Sequence, residues 1–230
     1  MEETLTPRRR VLGGLDTLEF GGDKDLPTIV LFHGYGADGA DLAPLAYELS
    51  LPKPARWAFP AAPLELDFGG RAWFHIDVPA IERAQREGKS ADFSRGEPSG
   101  LPAARQAAMA FLEELGVPWD KLILGGFSQG AMLAADLCLR APSSPRGLVM
   151  LSGKLLNAAE WGKLAAGRKG TPFFMSHGSV DPILGFQGAL AMEKLLKDAG
   201  WRGSLLRFEG GHAISQEVLE GLKDFLTRLS

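Results

Sequence analysis

Short apolar runs alternate along the chain with stretches in which apolar residues return every three or four positions. The runs at residues 26–33 (LPTIVLFH), 56–59, 122–124 (LIL), 147–151 (GLVML), 172–176 (PFFMS) and 204–208 predict strands. A short apolar run bounded by turn residues fits the interior of a sheet that is covered on both faces. Two further extended pieces precede them, at 10–12 and 15–20. Between the runs, helices are predicted over 41–49, 98–115, 129–140 and 186–199, with a last one near the C-terminus. In the second of these, Leu101, Ala104, Ala108, Phe111 and Leu115 keep helical spacing. In the last, Ile214, Val218, Leu222, Phe225 and Leu229 form one apolar stripe. Strands and helices in alternation imply a mainly parallel sheet flanked by helices, and no linker or internal repeat divides residues 1–230 into more than one domain.

The run at 122–124 leads into Gly126-Phe127-Ser128-Gln129-Gly130, a G-x-S-x-G segment followed by a small-residue helix. In that setting the motif has the form of a nucleophile elbow, a tight strand-to-helix turn that lifts a serine oxygen clear of its surroundings. Three other strand ends carry polar groups: His33-Gly34-Tyr35-Gly36, His177-Gly178-Ser179-Val180-Asp181-Pro182, and Gly210-Gly211-His212. Parallel sheets place their ligands at the carboxyl ends of the strands, so all these loops share one edge. A serine hydroxyl needs an imidazole to take its proton, and the imidazole needs a carboxylate to orient it. Ser128, Asp181 and His212 supply the three groups in the order serine, aspartate, histidine.

Composition narrows the picture. With 25 basic and 28 acidic residues the net charge is −3, which gives no general attraction to nucleic acid or anionic lipid. The only basic cluster, Arg8-Arg9-Arg10, reads as a solvated strand edge. The N-terminal sequence lacks an apolar export segment and no run approaches the roughly 18 apolar residues of a membrane span. The single cysteine, Cys138, cannot form an internal disulfide, which agrees with a reducing, cytoplasmic setting, and its place on a small-residue helix predicts packing.

Taken together, LFHGYGADGADL, GFSQGAML, SHGSVDPIL and GGHAISQE resemble the phospholipase/carboxylesterase family of α/β-hydrolases, over nearly the whole chain. The resemblance implies an α/β-hydrolase fold with Ser128 as nucleophile, His212 as base and Asp181 as its orienting acid, and it implies no cofactor and no metal. It places the oxyanion donors on the backbone N–H groups of Tyr35 and Gln129. Tyr35 stands where leucine is common in the family. Residues 70–77 (GRAWFHID) resemble a family segment with an aromatic pair near the acyl pocket, which makes Trp73 and Phe74 candidates for substrate contact. His75 follows that pair where many relatives carry an acid. His33 and His177 read as structural histidines, and His75 with Asp77 lacks the further spacing a metal site needs. The implied activity is that of a serine carboxylesterase acting on a small-molecule ester. An acyl-protein thioesterase or lysophospholipase with the same triad, and a non-catalytic receptor on a hydrolase fold, stay open, as does a homodimer. Residues 76–100 are long for a strand-to-helix connection and are expected to cover part of the acyl site.

Overall fold

The computed structural model describes residues 6–21, 25–87 and 96–229. Its strands are β1 (Arg8–Leu12), β2 (Leu15–Phe20), β3 (Thr28–Phe32), β4 (Arg56–Pro60), β5 (Leu64–Glu65), β6 (Arg71–Ala72), β7 (Leu122–Phe127), β8 (Gly147–Leu151), β9 (Pro172–Gly178) and β10 (Arg202–Phe208). The helices are α1 (Leu45–Glu48), α2 (Val78–Arg86), α3 (Leu101–Leu115), α4 (Gln129–Arg140), α5 (Ala158–Ala166), α6 (Phe186–Asp198) and α7 (Gln216–Leu229). Eight strands form one sheet in the order β1-β2-β4-β3-β7-β8-β9-β10. The pairs β1–β2 and β2–β4 are antiparallel, and every pair from β4 to β10 is parallel. This is the mainly parallel, helix-flanked sheet of the α/β-hydrolase fold.

Burial on both faces explains the apolar runs. Val30, Phe32, Leu122, Leu124, Leu148 and Met150 point into a core shared with α3, α4, α5 and α6. Their neighbours Ile29, Leu31, Ile123, Val149 and Leu151 point the other way, against α1 and α7. Successive residues of a strand face opposite sides, so a central strand covered twice has no polar side to show. Removing one such side chain, Phe32 for example, costs about 3–5 kcal/mol.

Several boundaries differ from the sequence reading. The helix expected over 41–49 shrinks to Leu45–Glu48. Pro44 has no N–H to donate and its ring disfavours a helical Ala43, so this stretch is built of i→i+3 turns such as Ala43 N–H to Ala40 O and Leu45 N–H to Leu42 O. The strand expected from residue 26 begins after Pro27, and the helix expected from residue 98 begins at Leu101, after Pro98 and Gly100. The β5–β6 hairpin, α2 and α5 were not anticipated. Nor was Asp136, fully buried on α4, where it pairs with Arg105 of α3 and accepts bonds from Arg140 Nε and Trp161 Nε1, each at 3.1 Å. Among the described residues, no helix is long and apolar enough to cross a membrane.

The topology also places the site. From β3 the chain moves outward to β4, then returns to β7 on the other flank of β3, so the loops after β3 and β7 leave in opposite directions. A crevice opens between them at the carboxyl edge of the sheet.

Candidate active site

One residue joins strand to helix at the elbow. β7 ends at Phe127, α4 begins at Gln129, and Ser128 between them has φ 54° and ψ −113°. A non-glycine residue in such a region costs on the order of 1–3 kcal/mol and persists only where its surroundings enforce it. Here Ser128 N–H donates to Leu151 O at 2.8 Å, and Met132 N–H donates to Ser128 O at 3.2 Å. The glycines of the motif are required by close approach. A Cβ on Gly126 would lie 2.3 Å from Phe32 O, and one on Gly130 only 1.9 Å from the same atom.

The loops after β9 and β10 are stitched together beyond their ladder. Ser179 N–H donates to Phe208 O at 2.9 Å and Val180 N–H to Gly210 O at 3.2 Å. Gly178 admits this closeness, since a Cβ there would meet Gly211 O at 2.1 Å. Asp181 and His212 are thereby joined: His212 Nδ1 lies 2.7 Å from Asp181 Oδ2, while Oδ1 accepts the N–H groups of Ile183 at 2.8 Å and Leu184 at 3.0 Å. His177 Nε2 lies 3.1 Å from the same Oδ2, in ion-pair range with a bent N–H direction, and both side chains are wholly buried. Burial by itself would raise the Asp181 carboxyl, but these donors and the His212 charge outweigh it and hold the group well below the usual carboxylate range. With Nδ1 committed to the carboxylate, Nε2 is the basic nitrogen of His212. Its ring packs on Phe127 at 4.8 Å, and Ser152, itself at φ 51°, donates from Oγ to Ala213 O at 3.3 Å.

The third wall is the loop after β3. His33 is 1% exposed; its Nδ1–H donates to Gly34 O at 2.8 Å and its Nε2 accepts Ala62 N–H at 3.0 Å. Burial pushes this imidazole below its ordinary pKa, and the Gly34 carbonyl only partly opposes that. A Cβ on Gly34 would lie 3.6 Å from the Ser128 Cβ, so the loop lies against the elbow. It is also tied to the β5–β6 hairpin by Gly36 N–H to Arg71 O at 2.9 Å and Arg71 N–H to Ala37 O at 2.8 Å. Tyr35 follows Gly34 on this loop, and Gln129 occupies the first helical position of α4, where the helix offers its N–H no acceptor.

These walls enclose a cleft of about 720 Å³ that both Ser128 and His212 line. Phe74, Ile81, Met132, Leu156, Ile183 and Leu184 give it an apolar lining, and among the described residues it is lined by the carboxylates Asp77, Glu82 and Glu97 and by no lysine or arginine. Of residues 76–100, the described portions 76–78, 81–82 and 96–99 contribute to the wall; 88–95 lie outside the described residues. Trp73 corrects the sequence reading. It does not line the cleft, is 1% exposed and packs edge-on against Phe32 at 5.1 Å, while its neighbour Phe74 does line it. His75 stands exposed at the cleft, and Asp77 Oδ1 accepts Ala80 N–H at 2.9 Å at the start of α2. Burial raises the Cys138 thiol far above its usual pKa, which leaves it a packing residue.

A model of the phospholipase/carboxylesterase family matches residues 16–230. The chain belongs to that family. Acyl-protein thioesterase 1 of Kluyveromyces lactis is 30% identical over 221 residues, covering 87% of this chain and 90% of that one. The Neurospora crassa protein of the same name is 34% identical over 116 residues, 49% of this chain and 47% of that one. The crystal structure of esterase PE8 has a TM-score of 0.75 at 28% identity, covering 98% of this chain and 99% of the other. As a phospholipase/carboxylesterase family member, the protein is a hydrolase acting on carboxylic esters. Within this family site, sequence reasoning missed the Gln129 side chain and Ser152. A buried amide's partners and a positive φ at a serine leave no local pattern to read.

Proposed function

We propose that the protein is a serine carboxylesterase in which Ser128, His212 and Asp181 form the catalytic triad. Ser128 Oγ attacks the ester carbonyl carbon while its proton passes to His212 Nε2. The carbonyl oxygen takes up negative charge and is held by the N–H groups of Tyr35 and Gln129. Collapse of this intermediate breaks the bond to the leaving alcohol, which carries off the proton from His212. Water then repeats the sequence on the acyl-enzyme, His212 taking its proton, and the carboxylic acid departs as Ser128 regains its hydrogen. Asp181 stays ionised throughout and steadies the imidazolium. The acyl chain rests on the apolar wall that includes Phe74, Met132 and Ile183.

One observation carries this reading: Ser128 lines the same cleft as His212, whose Nδ1 is bonded to Asp181 at 2.7 Å. A thioester substrate is the second reading, favoured by the thioesterase names of its relatives; it uses the same atoms and expels a thiol instead. Labelling by a fluorophosphonate probe should be lost in Ser128→Ala, together with all but background hydrolysis, in a protein that still folds. Retention of most activity in that variant refutes the nucleophile. Matched oxyesters and thioesters of increasing acyl length then separate the two substrate classes by kcat/KM.

A further inference from the structure

The β3–β7 ladder ends at the pair Phe32–Gly126. Past that point no ladder pair joins the loop that carries Tyr35 to the helix that begins at Gln129; the two meet by close packing, as at Gly34 and Gly130. A buried hydrogen-bonded bridge ties them together beside that contact. Gln129 is wholly buried; its Oε1 accepts the Trp73 N–H at 2.9 Å and its Nε2 donates to Phe74 O at 2.6 Å. Trp73 reaches the opposite way, its indole N–H donating to His33 O at 3.0 Å. The His33 ring, bonded to Gly34 O and to Ala62 N–H, carries the connection into the loop two residues before Tyr35. The indole itself is held by Phe32 at 5.1 Å and the His33 ring at 5.5 Å.

We propose that Trp73 is a positioning residue which, through its indole N–H and the Gln129 carboxamide, sets the separation of the two oxyanion donors. The inference rests on the reading of Tyr35 and Gln129 as those donors. An oxyanion donor stabilises the transition state only when it sits about 2.7–3.1 Å from the position the charged oxygen will occupy. Each group in the bridge is buried, so its hydrogen bonds are not exchanged for water, and they confine both backbones at once. The same residue that begins α4 thus supplies a donor from its backbone and the spacer from its side chain.

The test compares Trp73→Phe, which keeps a ring against Phe32 and drops the indole N–H, with Gln129→Met, which keeps the length and drops both amide bonds. For each, kcat and KM on p-nitrophenyl butyrate are normalised to active sites counted by exhaustive fluorophosphonate labelling. The inhibition constants of a trifluoromethyl ketone, which forms a tetrahedral adduct with serine, and of its methyl ketone counterpart are measured alongside. In each variant kcat should fall on the order of 10- to 100-fold with KM changed less than about twofold. Trifluoromethyl ketone affinity should weaken in parallel while methyl ketone affinity holds. The double variant should be about as impaired as the worse single one, since both break one bridge. Unchanged kcat per active site and unchanged trifluoromethyl ketone affinity in either folded variant overturn the proposal, whatever happens to Tm. If the trifluoromethyl ketone binds the unaltered enzyme no better than the methyl ketone, the oxyanion reading itself fails; tight binding that the variants leave untouched defeats the bridge alone.

Discussion

Replacing Gly130 by Ala should cost far more than adding a methyl group to a helix normally does. The new Cβ would lie 1.9 Å from Phe32 O, 2.4 Å from Phe32 C and 2.6 Å from His33 O, all of them backbone atoms. No rotamer change relieves such contacts. Bringing the first out to 3.0 Å requires α4 and the end of β3 to part by about 1 Å. Overpacking of this kind costs about 1–3 kcal/mol, which for a chain of this size lowers Tm by roughly 2–12 °C. The same displacement moves the Ser128–Gln129 turn away from the Tyr35 loop, and a 1 Å misplacement of reacting groups costs on the order of 100-fold in rate. The assay is kcat/KM on a short activated ester, normalised to labelled active sites, with a thermal melt on the same sample. A folded Gly130→Ala protein with Tm within about 1 °C of the parent and kcat/KM within about threefold would refute the steric account of the motif.

Gly162→Ala is the matched contrast: it sits inside α5, its Cβ would find only Leu195 Cδ1 at 3.9 Å, and the change should stabilise by about 0.5–1 kcal/mol with hydrolysis unaltered. Loss of stability in a urea titration would contradict it. Asp181→Asn should fold yet lose on the order of 10⁴-fold in kcat, because an amide presents the wrong partner to His212 Nδ1–H. The folded-state carboxyl of Asp181 titrates below its unfolded value, so its ionised form stabilises the protein above about pH 4 and that contribution is lost as pH falls further. Urea titrations from pH 7 to pH 3 should therefore show the parent's advantage over Asp181→Asn shrinking below pH 4; a constant difference counts against the assignment.

Much of the fold was legible because it depends on local pattern. The twofold-buried strands had to be apolar throughout, and the helices facing one core had to repeat near 3.6 residues, so element order and the parallel sheet could be read directly. Misjudged boundaries cluster at prolines and glycines, as at Pro44 and Gly100, where the missing N–H or a turn ends an element that hydrophobicity alone would continue. The elements passed over were short or weakly patterned: β5 and β6 have two residues each, and α5 carries Gly162 at its centre.

The chain by itself determined which residues stand at the carboxyl ends of the strands, and hence that Ser128, Asp181 and His212 share an edge. Parallel topology makes that a consequence of order. Only the tertiary structure decided what Trp73, Gln129 and Asp136 do. Trp73 meets a partner 40 residues away and another 56 away, and Asp136 meets Arg105 at a distance of 31 residues. An aromatic pair before a loop reads the same whether it faces substrate or the core, because the sequence records a side chain's chemistry and not the direction in which packing turns it. Phe74 faces the cleft and Trp73 the interior, where Phe32 and the His33 carbonyl receive its indole, and a single buried amide bonds the backbone of both.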